Sequence, residues 1–421
     1  MNNTQLDAVP DPPEQDKFLS RPLLIIFLTI FIDLVGFGIV IPLLPFYAEE
    51  FQATPFDIGV LVSAYSLMQF VFSPIWGNLS DRYGRRPILF ITILGSSVGY
   101  LMIGFAGSLW MIYAGRILGG IMGGNLATAQ AYIADVTSRE NRARGMGLFG
   151  MAFGLGFIFG PALAGILSQI SMHVPFFVAA GLSFANAILL YFILPESLKP
   201  QPVGTVHIKR HRIADLVGAL KNPTFATITL EYFLLVTSFS MMTTAFAYYT
   251  MVKFDYDAAN TGYLLAYVGL LAVVMQGGLF GIMAKRFGEP ALAVFGSLML
   301  VLSLFLVPYI GKDFGGLVVL LIGIAGFALG NSVASPALTS LASKASSDDE
   351  QGRSLGILQS AASLARVIGP LLCGVLLNNA ANHVDSSTLF RTFWTAAGIM
   401  FVAFLTAVYF ARSMKFRGDV V

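Results

Sequence analysis

Apolar stretches long enough to cross a lipid bilayer recur twelve times along this chain of 421 residues. A spanning helix needs about 20 apolar residues, because each residue advances about 1.5 Å along the helix axis. The composition agrees, since 56% of the residues are hydrophobic and only 11% are charged, against about 25% charged in a soluble domain. We therefore predict an all-α polytopic membrane protein with twelve transmembrane helices. The predicted spans are 22–47, 57–79, 87–107, 109–132, 145–170, 174–195, 224–250, 258–283, 290–309, 314–338, 354–379 and 388–411.

The distribution of lysine and arginine predicts the orientation of these spans. Twenty of the 25 Lys and Arg residues fall on the face predicted to hold both termini. The opposite face holds three, Lys253, Lys312 and Arg391. Positive charge is in excess on the cytoplasmic loops of membrane proteins, so both termini are predicted to be cytoplasmic.

The second half of the chain repeats motifs of the first half. The segment 144–165 recurs 209 positions later as the segment 353–374, with Arg144, Gly147, Gly160, Pro161 and Gly165 among the identities in register. One span earlier, residues 120–125 recur as residues 326–331 with the same two glycines and asparagine. Parallel six-helix repeats around a central site are a transporter architecture. We therefore predict two pseudo-symmetric six-helix bundles.

The longest loop separates the two bundles. It is predicted to contain an interfacial helix, because apolar residues recur at helical spacing beside basic residues between Ile213 and Leu220. The predicted divisions are the cytoplasmic tail 1–21, the first bundle 22–196, the linker 197–223, the second bundle 224–411 and the cytoplasmic tail 412–421.

Four motifs carry a resemblance to a known family. The turn 77–87 joins two spans with two glycines and four charges, and the segments 33–45, 115–120 and 156–165 lie in the first, fourth and fifth spans. With the twelve spans and the repeat, these motifs resemble the major facilitator superfamily, and within it the twelve-helix drug:proton antiporters that include the tetracycline exporters. The resemblance implies an acid in the ninth helix of the tetracycline group, whereas residues 290–309 contain none. This departure weakens tetracycline as the substrate.

The turn 77–87 is predicted to form a cytoplasmic gate. Asp81 follows the second span, and the resemblance implies that the eleventh span lies beside it and offers the positive end of its helix dipole. Arg85 and Arg86 are expected to reach Asp135 at the end of the fourth span. These contacts would latch the two halves together and hold the protein open to the outside, whereas the alternative is that the arginines only anchor the topology. The gate residues are Gly77, Asp81, Arg82, Gly84, Arg85, Arg86 and Asp135.

Four charged residues, Asp33, Arg116, Glu231 and Arg366, lie clearly within predicted spans. A charge inside the bilayer costs roughly 3 kcal/mol even on the lenient insertion scale, so each one needs a reason. Asp33 and Arg116 fall at similar depths, and if the first and fourth helices line the cavity, as the resemblance implies, they are expected to pair directly or through a water. Glu231 and Arg366 are a candidate second pair, with snorkelling of Glu231 to the inner interface as the alternative.

Proton coupling is assigned to these carboxylates, because none of the four histidines lies within a span. Arg116 is expected to favour ionised Asp33 in an empty, solvated cavity, whereas a drier, occluded cavity favours the neutral acid. Protonation is then tied to the conformational state. A purely structural ion pair is the alternative.

The fifth span carries a motif similar to the antiporter motif of the family, formed by Gly156, Gly160, Pro161 and Gly165. Glycine lets a helix approach its neighbour backbone to backbone, and proline leaves a kink. We expect this packing to seal the cavity against proton leak.

The substrate cavity is predicted to combine sparse polar groups with aromatic walls. Such a lining suits a lipophilic solute, including a cationic one, and helix packing is the alternative role for at least half of the candidates. The candidates are Phe37, Tyr65, Gln69, Asn125, Gln130, Phe153, Phe239, Tyr248, Tyr267, Gln276, Asn331 and Gln359.

The motifs indicate a secondary transporter and not an enzyme. The sequence has no nucleotide-binding loop of the Walker type and no metal-ligand cluster in a span. We predict a proton-coupled antiporter that exports small lipophilic compounds by alternating access, driven by the proton gradient without a cofactor. The alternatives are an uptake symporter for sugars or other nutrients, a lipid or glycolipid flippase, and a sensor that does not transport. The expected partners are its substrate, protons and membrane lipids, and nucleic acid is not expected. We predict a monomer in the bacterial inner membrane.

Overall fold

The computed structural model describes residues 21–137, 142–198, 222–345, 351–380 and 383–416. The spans of the first half are span 1 (Arg21–Glu49), span 2 (Pro55–Tyr83), span 3 (Arg85–Gly104), span 4 (Leu109–Met122 continued by Leu126–Val136), span 5 (Arg142–Ser168) and span 6 (Val174–Ile193). Those of the second half are span 7 (Pro223–Phe254), span 8 (Ala258–Val274 continued by Phe280–Phe287), span 9 (Glu289–Leu306), span 10 (Gly316–Lys344), span 11 (Gln351–Leu377) and span 12 (Ser386–Phe416).

Two of the spans contain an irregular turn. Within the described residues, eleven helices are long and apolar enough to cross a membrane. The remaining predicted span, span 4, is divided into two shorter helices by a 3-10 turn at Gly123–Asn125. Span 8 contains a π-helical turn at Met275–Leu279, a feature that often marks a functional position. The prediction of an all-α protein with twelve spanning segments is confirmed.

Each half builds its bundle from the same helix pairs. Span 1 packs on span 5 and span 3 on span 6, just as span 7 packs on span 11 and span 9 on span 12. Span 4 lies against spans 2 and 3, and span 10 lies against spans 8 and 9. The predicted pseudo-symmetry of the two bundles is therefore confirmed.

The two halves meet mainly where span 2 packs on span 11 and where span 5 packs on span 8. Between spans 2 and 11, a Cβ atom on Gly59 would lie 2.5 Å from the carbonyl oxygen of Pro370 and 3.0 Å from the Cα atom of Gly374. Nearby, the Ser63 hydroxyl donates to the carbonyl oxygen of Val367 at 2.7 Å. Only glycine allows the two backbones to come this close.

The contact between spans 5 and 8 is the symmetry mate of that contact. A Cβ atom on Gly262 would lie 2.5 Å from the carbonyl oxygen of Pro161 and 3.1 Å from the Cα atom of Gly165. The repeated Gly-Pro motif thus faces a glycine of the other half on both sides of the molecule. We call the end of the molecule where these contacts lie the closed end.

The opposite ends of the same four spans stand apart. A Cβ atom on Gly77, Gly150, Gly281 or Gly356 would meet no atom within 4 Å outside its own helix. We call this end the basic end, because it carries the arginines of the turn 82–86. Among the described residues, span 5 also packs far more closely on the first helix of span 8 (Ala258–Val274) than on its second (Phe280–Phe287), so the two halves part toward the basic end.

Three predicted segments lie wholly or mostly outside the described residues. They are the tail 1–21, the interfacial helix of the linker 197–223, and the last residues of the tail 412–421. The divisions between domains and the placement of both termini in the cytoplasm stay predictions.

We expect Gly262→Leu to separate the two halves at the closed end, because the new side chain cannot fit beside the carbonyl of Pro161. Spin labels would be attached at Gly107 and Phe314, two exposed loop positions in different halves at the closed end. The distance between the labels, measured by double electron–electron resonance, should become longer, and its distribution should become broader. The matched control is Gly181→Leu, since Gly181 on span 6 faces open space. An unchanged distance distribution in the Gly262 variant would contradict the assignment.

Candidate substrate and proton site

Arg116 lies in the membrane core and is held by span 2. Its side chain is buried, with 5% of its surface exposed, and its Nε donates to the carbonyl oxygen of Leu61 at 3.4 Å. The guanidinium carbon lies 4.4 Å from the centre of the Tyr65 ring. This cation–π contact stabilises a buried positive charge without a carboxylate.

A row of aromatic rings extends from that contact. The rings of Phe37 and Tyr65 are 5.3 Å apart, those of Phe37 and Phe157 are 6.3 Å apart, and those of Phe153 and Phe157 are 5.0 Å apart. We call these four residues the aromatic row. Three of them were predicted to line the cavity, whereas Phe157 was missed because the chain contains 36 phenylalanines and position alone does not distinguish them.

Asp33 is half-buried and hydrogen-bonds to Asn125. Asn125 ends the 3-10 turn that divides span 4, and 3% of its surface is exposed. Arg116 was expected to pair with Asp33 directly or through a water; the direct ion pair is not formed in this conformation, since none of the ion pairs among the described residues joins the two. Tyr65 stacks on the guanidinium and lies within electrostatic reach of both charges, so an aromatic ring occupies the position expected for the carboxylate.

A small cavity of about 10 Å³ adjoins Asp33 and is also lined by Thr29 and Asn125. Thr29 Oγ1 and Asn125 Oδ1 are buried there without a hydrogen-bond partner. Several other helical threonines bond the carbonyl one turn earlier, as Thr92 does to Ile88 at 2.8 Å. A cavity of this size holds about one water molecule, which would bond both oxygens and connect them to the acid.

Glu231 and Arg366 do not pair in this structure. Glu231 is buried with 1% of its surface exposed, and Ser297 Oγ of span 9 donates to its Oε1 at 3.5 Å. Glu231 therefore bonds to span 9 and not to Arg366, and it does not snorkel to the interface. Arg366 Nη2 contacts Ser363 Oγ at 3.5 Å, and its Nε is buried without a partner.

Arg85 is the centre of the turn between spans 2 and 3. Its Nη1 lies 2.5 Å from Asp81 Oδ1, and its Nε lies 3.1 Å from Asp135 Oδ2. Nη1 also donates to Ser80 Oγ at 2.7 Å. The expected contact between this turn and the end of span 4 is thus formed, by Arg85. Arg86 instead donates to the carbonyl oxygen of Tyr191.

Glu196, which follows span 6, caps the start of span 3. Its Oε1 accepts the backbone N–H of Arg85 at 2.9 Å, and its Oε2 accepts that of Arg86 at 3.1 Å. A carboxylate at a helix N-terminus satisfies free N–H groups and favours the helix dipole. Sequence reasoning missed this residue, because the two groups are more than 100 positions apart and no local pattern connects them.

The contacts of the gate stay within the first half. Asp81 pairs with Arg85, but half of its side chain is exposed, Arg82 lies over its neighbour Tyr83, and Gly77 faces open space. Among the described residues no ion pair joins the turn to the second half. The expected latch is absent from this conformation because spans 2 and 11 are apart at the basic end.

The glycine motif of span 5 contacts both halves. A Cβ atom on Gly156 would lie 2.6 Å from the Cβ atom of Leu34, and one on Gly160 would lie 2.6 Å from the Cα atom of Gly38. Further along span 5, Gly165 faces the backbone of span 8 at 2.8 Å. The motif therefore allows span 5 to pack closely on span 1 and on span 8. Such packing is what the predicted seal of the closed end requires.

The other predicted cavity residues divide by position. Gln69 Nε2 donates to the carbonyl oxygen of Gly123 at 3.0 Å and so supports the break in span 4. Phe239 stacks on Phe327 at 5.4 Å in the second half, and Tyr248 is buried near the closed end. Of the remainder, Gln130, Tyr267 and Asn331 are half-buried, and Gln276 and Gln359 are exposed.

The chain matches the family model described as Major Facilitator Superfamily over residues 26–370 and 277–419. It is 31% identical over 396 residues to the tetracycline resistance protein, class H, of Pasteurella multocida, covering 93% of this chain and 96% of the relative. It is 28% identical over 364 residues to multidrug resistance protein 2 of Bacillus subtilis, covering 85% of this chain and 90% of the relative.

Solved structures show the same fold. The crystal structure of the human organic anion transporter MFSD10 (TETRAN) superposes with a TM-score of 0.68 and 25% identity, over 94% of this chain and 100% of that chain.

We expect Gly84→Ala to destabilise the turn between spans 2 and 3. Gly84 has φ +105°, a conformation that costs a residue with a Cβ about 1–3 kcal/mol, and the Cβ would lie 2.5 Å from Glu196 Oε2. The apparent melting temperature of the purified protein should fall. Gly77→Ala is the matched control, because it fills open space within a helix and should not lower the melting temperature; an equal effect of both variants would refute the role of Gly84.

Proposed function

Because the chain belongs to the major facilitator superfamily, we propose that it is a secondary transporter of the bacterial inner membrane that exports small lipophilic compounds in exchange for protons. The similarity to tetracycline and multidrug resistance proteins supports drug efflux. The observation that carries proton coupling is the position of Asp33, an acid in the membrane core within electrostatic reach of the aromatic row at Tyr65. We further propose that the protein is a monomer with both termini in the cytoplasm.

The conformation supports alternating access. The halves touch at the closed end and separate at the basic end, and the excess of positive charge assigns the basic end to the cytoplasm. This is then the state that receives substrate from the cytoplasm. Export requires the glycine contacts of the closed end to part and the basic ends to meet, and the latch predicted around Asp81 belongs to that second state.

Asn125 suits the proton step because an amide can serve both states of the acid. Its Nδ2 donates to an ionised carboxylate, and its Oδ1 accepts from a protonated one. Asn125 also ends the 3-10 turn of span 4, so a change in the proton state of Asp33 acts directly on the break in that helix. The unpartnered Oδ1 is available for this exchange.

Substrate and proton act on the same group of residues. Tyr65 contacts Arg116 and belongs to the aromatic row, and it lies within electrostatic reach of Asp33. A ligand on the rings therefore changes the surroundings of the acid. Substrate export is coupled to proton entry if the empty protein releases the proton from Asp33 and the substrate-bound protein changes to the outward-facing state without that proton.

We expect Asp33→Asn to abolish proton movement driven by substrate, because asparagine cannot release a proton but preserves the shape of the side chain. Proteoliposomes with a pH-sensitive dye inside would record proton flux on addition of lipophilic drugs, sugars or lipids. The matched control is Asp313→Asn, which removes an exposed acid from a loop at the closed end and should leave coupling intact.

Two results would overturn the proposal. Normal coupling in a folded Asp33→Asn protein would remove Asp33 from the proton pathway. Proton flux triggered only by a sugar that moves in the same direction as the proton would replace drug antiport by nutrient uptake.

A further inference from the structure

Arg366 is a cation without a counter-ion in the part of the chain that the structure describes. It lies near the middle of span 11 and is half-buried. Its Nη2 reaches only the Ser363 hydroxyl, at 3.5 Å, and its Nε is buried without a partner. Among the described residues, no carboxylate oxygen lies within the ion-pair distance of 4.0 Å. A guanidinium in this state is costly in the membrane core, so its retention calls for a functional explanation.

The charges around Tyr65, a residue within electrostatic reach of Arg366, are positive on balance. The charged groups within electrostatic reach of Tyr65 are Asp33, Arg116 and Arg366, which is two cations against one acid. Glu231, the other acid of the four charges singled out within the predicted spans, is buried against Ser297. Asp33 in turn is occupied by its hydrogen bond to Asn125. One positive charge therefore remains to be neutralised from outside the protein.

Arg366 is also placed where a ligand can reach it. The closed contact between spans 2 and 11 runs from Gly374 to Val367, whose carbonyl accepts the Ser63 hydroxyl. Arg366 is the next residue toward the basic end. From there the halves separate, and Gly356 on the same span faces open space. Arg366, which is partly exposed, thus lies at the inner limit of the contact between the halves.

We propose that the cavity binds an amphipathic organic anion whose carboxylate or sulfonate pairs with Arg366 while its apolar body packs on the aromatic row. This inference rests on the proposed function and names the class of its substrate. A guanidinium binds such groups through two parallel hydrogen bonds, and Nε is the donor left free for one of them. The charge of Arg366 therefore favours an anionic member of the lipophilic solutes expected from the sequence over a cationic one.

Anion export has an electrical consequence. Exchange of one monovalent anion outward for one proton inward moves two elementary charges across the membrane, whereas exchange of a neutral compound moves one. The membrane potential acts on each charge moved. Transport of an anion should therefore depend more steeply on an imposed potassium diffusion potential than transport of a neutral analogue.

Three probes with the same ring system separate charge from lipophilicity: pyrenebutyrate, pyrenebutanol and pyrenebutylamine. Binding to the purified full-length protein would be measured by equilibrium dialysis in detergent, with empty micelles subtracted. We expect the wild type to prefer pyrenebutyrate over pyrenebutanol by about tenfold, the value of one charge-assisted hydrogen bond, and to bind pyrenebutylamine most weakly.

The variants test the role of Arg366 directly. Arg366→Gln should remove the preference for pyrenebutyrate and leave pyrenebutanol binding unchanged, which also shows that the variant is folded. Arg366→Lys keeps the charge but loses the paired geometry, so it should retain part of the preference. The matched control is Arg391→Gln, because Arg391 bonds the carbonyl oxygens of Leu376 and Asn378 in the loop region and should not affect any probe.

Stronger binding of pyrenebutylamine than of pyrenebutyrate would overturn the proposal, as would an equal loss of all three probes in Arg366→Gln. These outcomes are distinct from failure of the proposed function. Anion binding without any proton flux would refute the proposed antiport and support the anion site. Proton-coupled export of only neutral or cationic drugs would support the antiport and refute the anion site.

Discussion

Close backbone contact between the two halves at the closed end is the constraint on which the rest of the structure depends. Lipid tails are as apolar as the helices, so burial of apolar surface does not drive helices together in a membrane, and close packing must do so. Gly59 against Gly374 and Gly262 against Gly165 provide this packing on both sides of the molecule. Once these contacts form, the same four spans diverge at the basic end, and the cavity opens there.

The two halves share a plan but differ in chemistry. Arg85 at the start of span 3 pairs with Asp135 at the end of span 4 at 3.1 Å. In the second half the charges are exchanged, since Glu289 at the start of span 9 pairs with Lys344 at the end of span 10 at 2.7 Å. The break also differs, because span 4 is divided beside Asn125, whereas span 10 runs unbroken from Gly316 to Lys344. Symmetry thus supplies the scaffold, and departures from it supply the site proposed for the proton.

Several features of the site were predictable because they depend on charge in the membrane or on motif chemistry. Asp33, Arg116, Glu231 and Arg366 were recognised as buried charges, and the structure places all four within spans. Their partners were not predictable. The rise per residue gives the depth of a side chain but not the direction in which it points around the helix axis. Asp33 and Arg116 therefore matched in depth and yet bond to different groups.

The sequence by itself determined the number of spans, the duplication of the bundle and the identity of the charged residues, because hydrophobic length, repeated motifs and the cost of burying charge are all local properties of the chain. Tertiary structure alone decided that Glu196 caps span 3, that Tyr65 covers Arg116 and that Arg366 is left without a counter-ion. Each of these facts requires groups from different helices to meet. Such meetings depend on how the helices rotate and cross, which no single segment specifies.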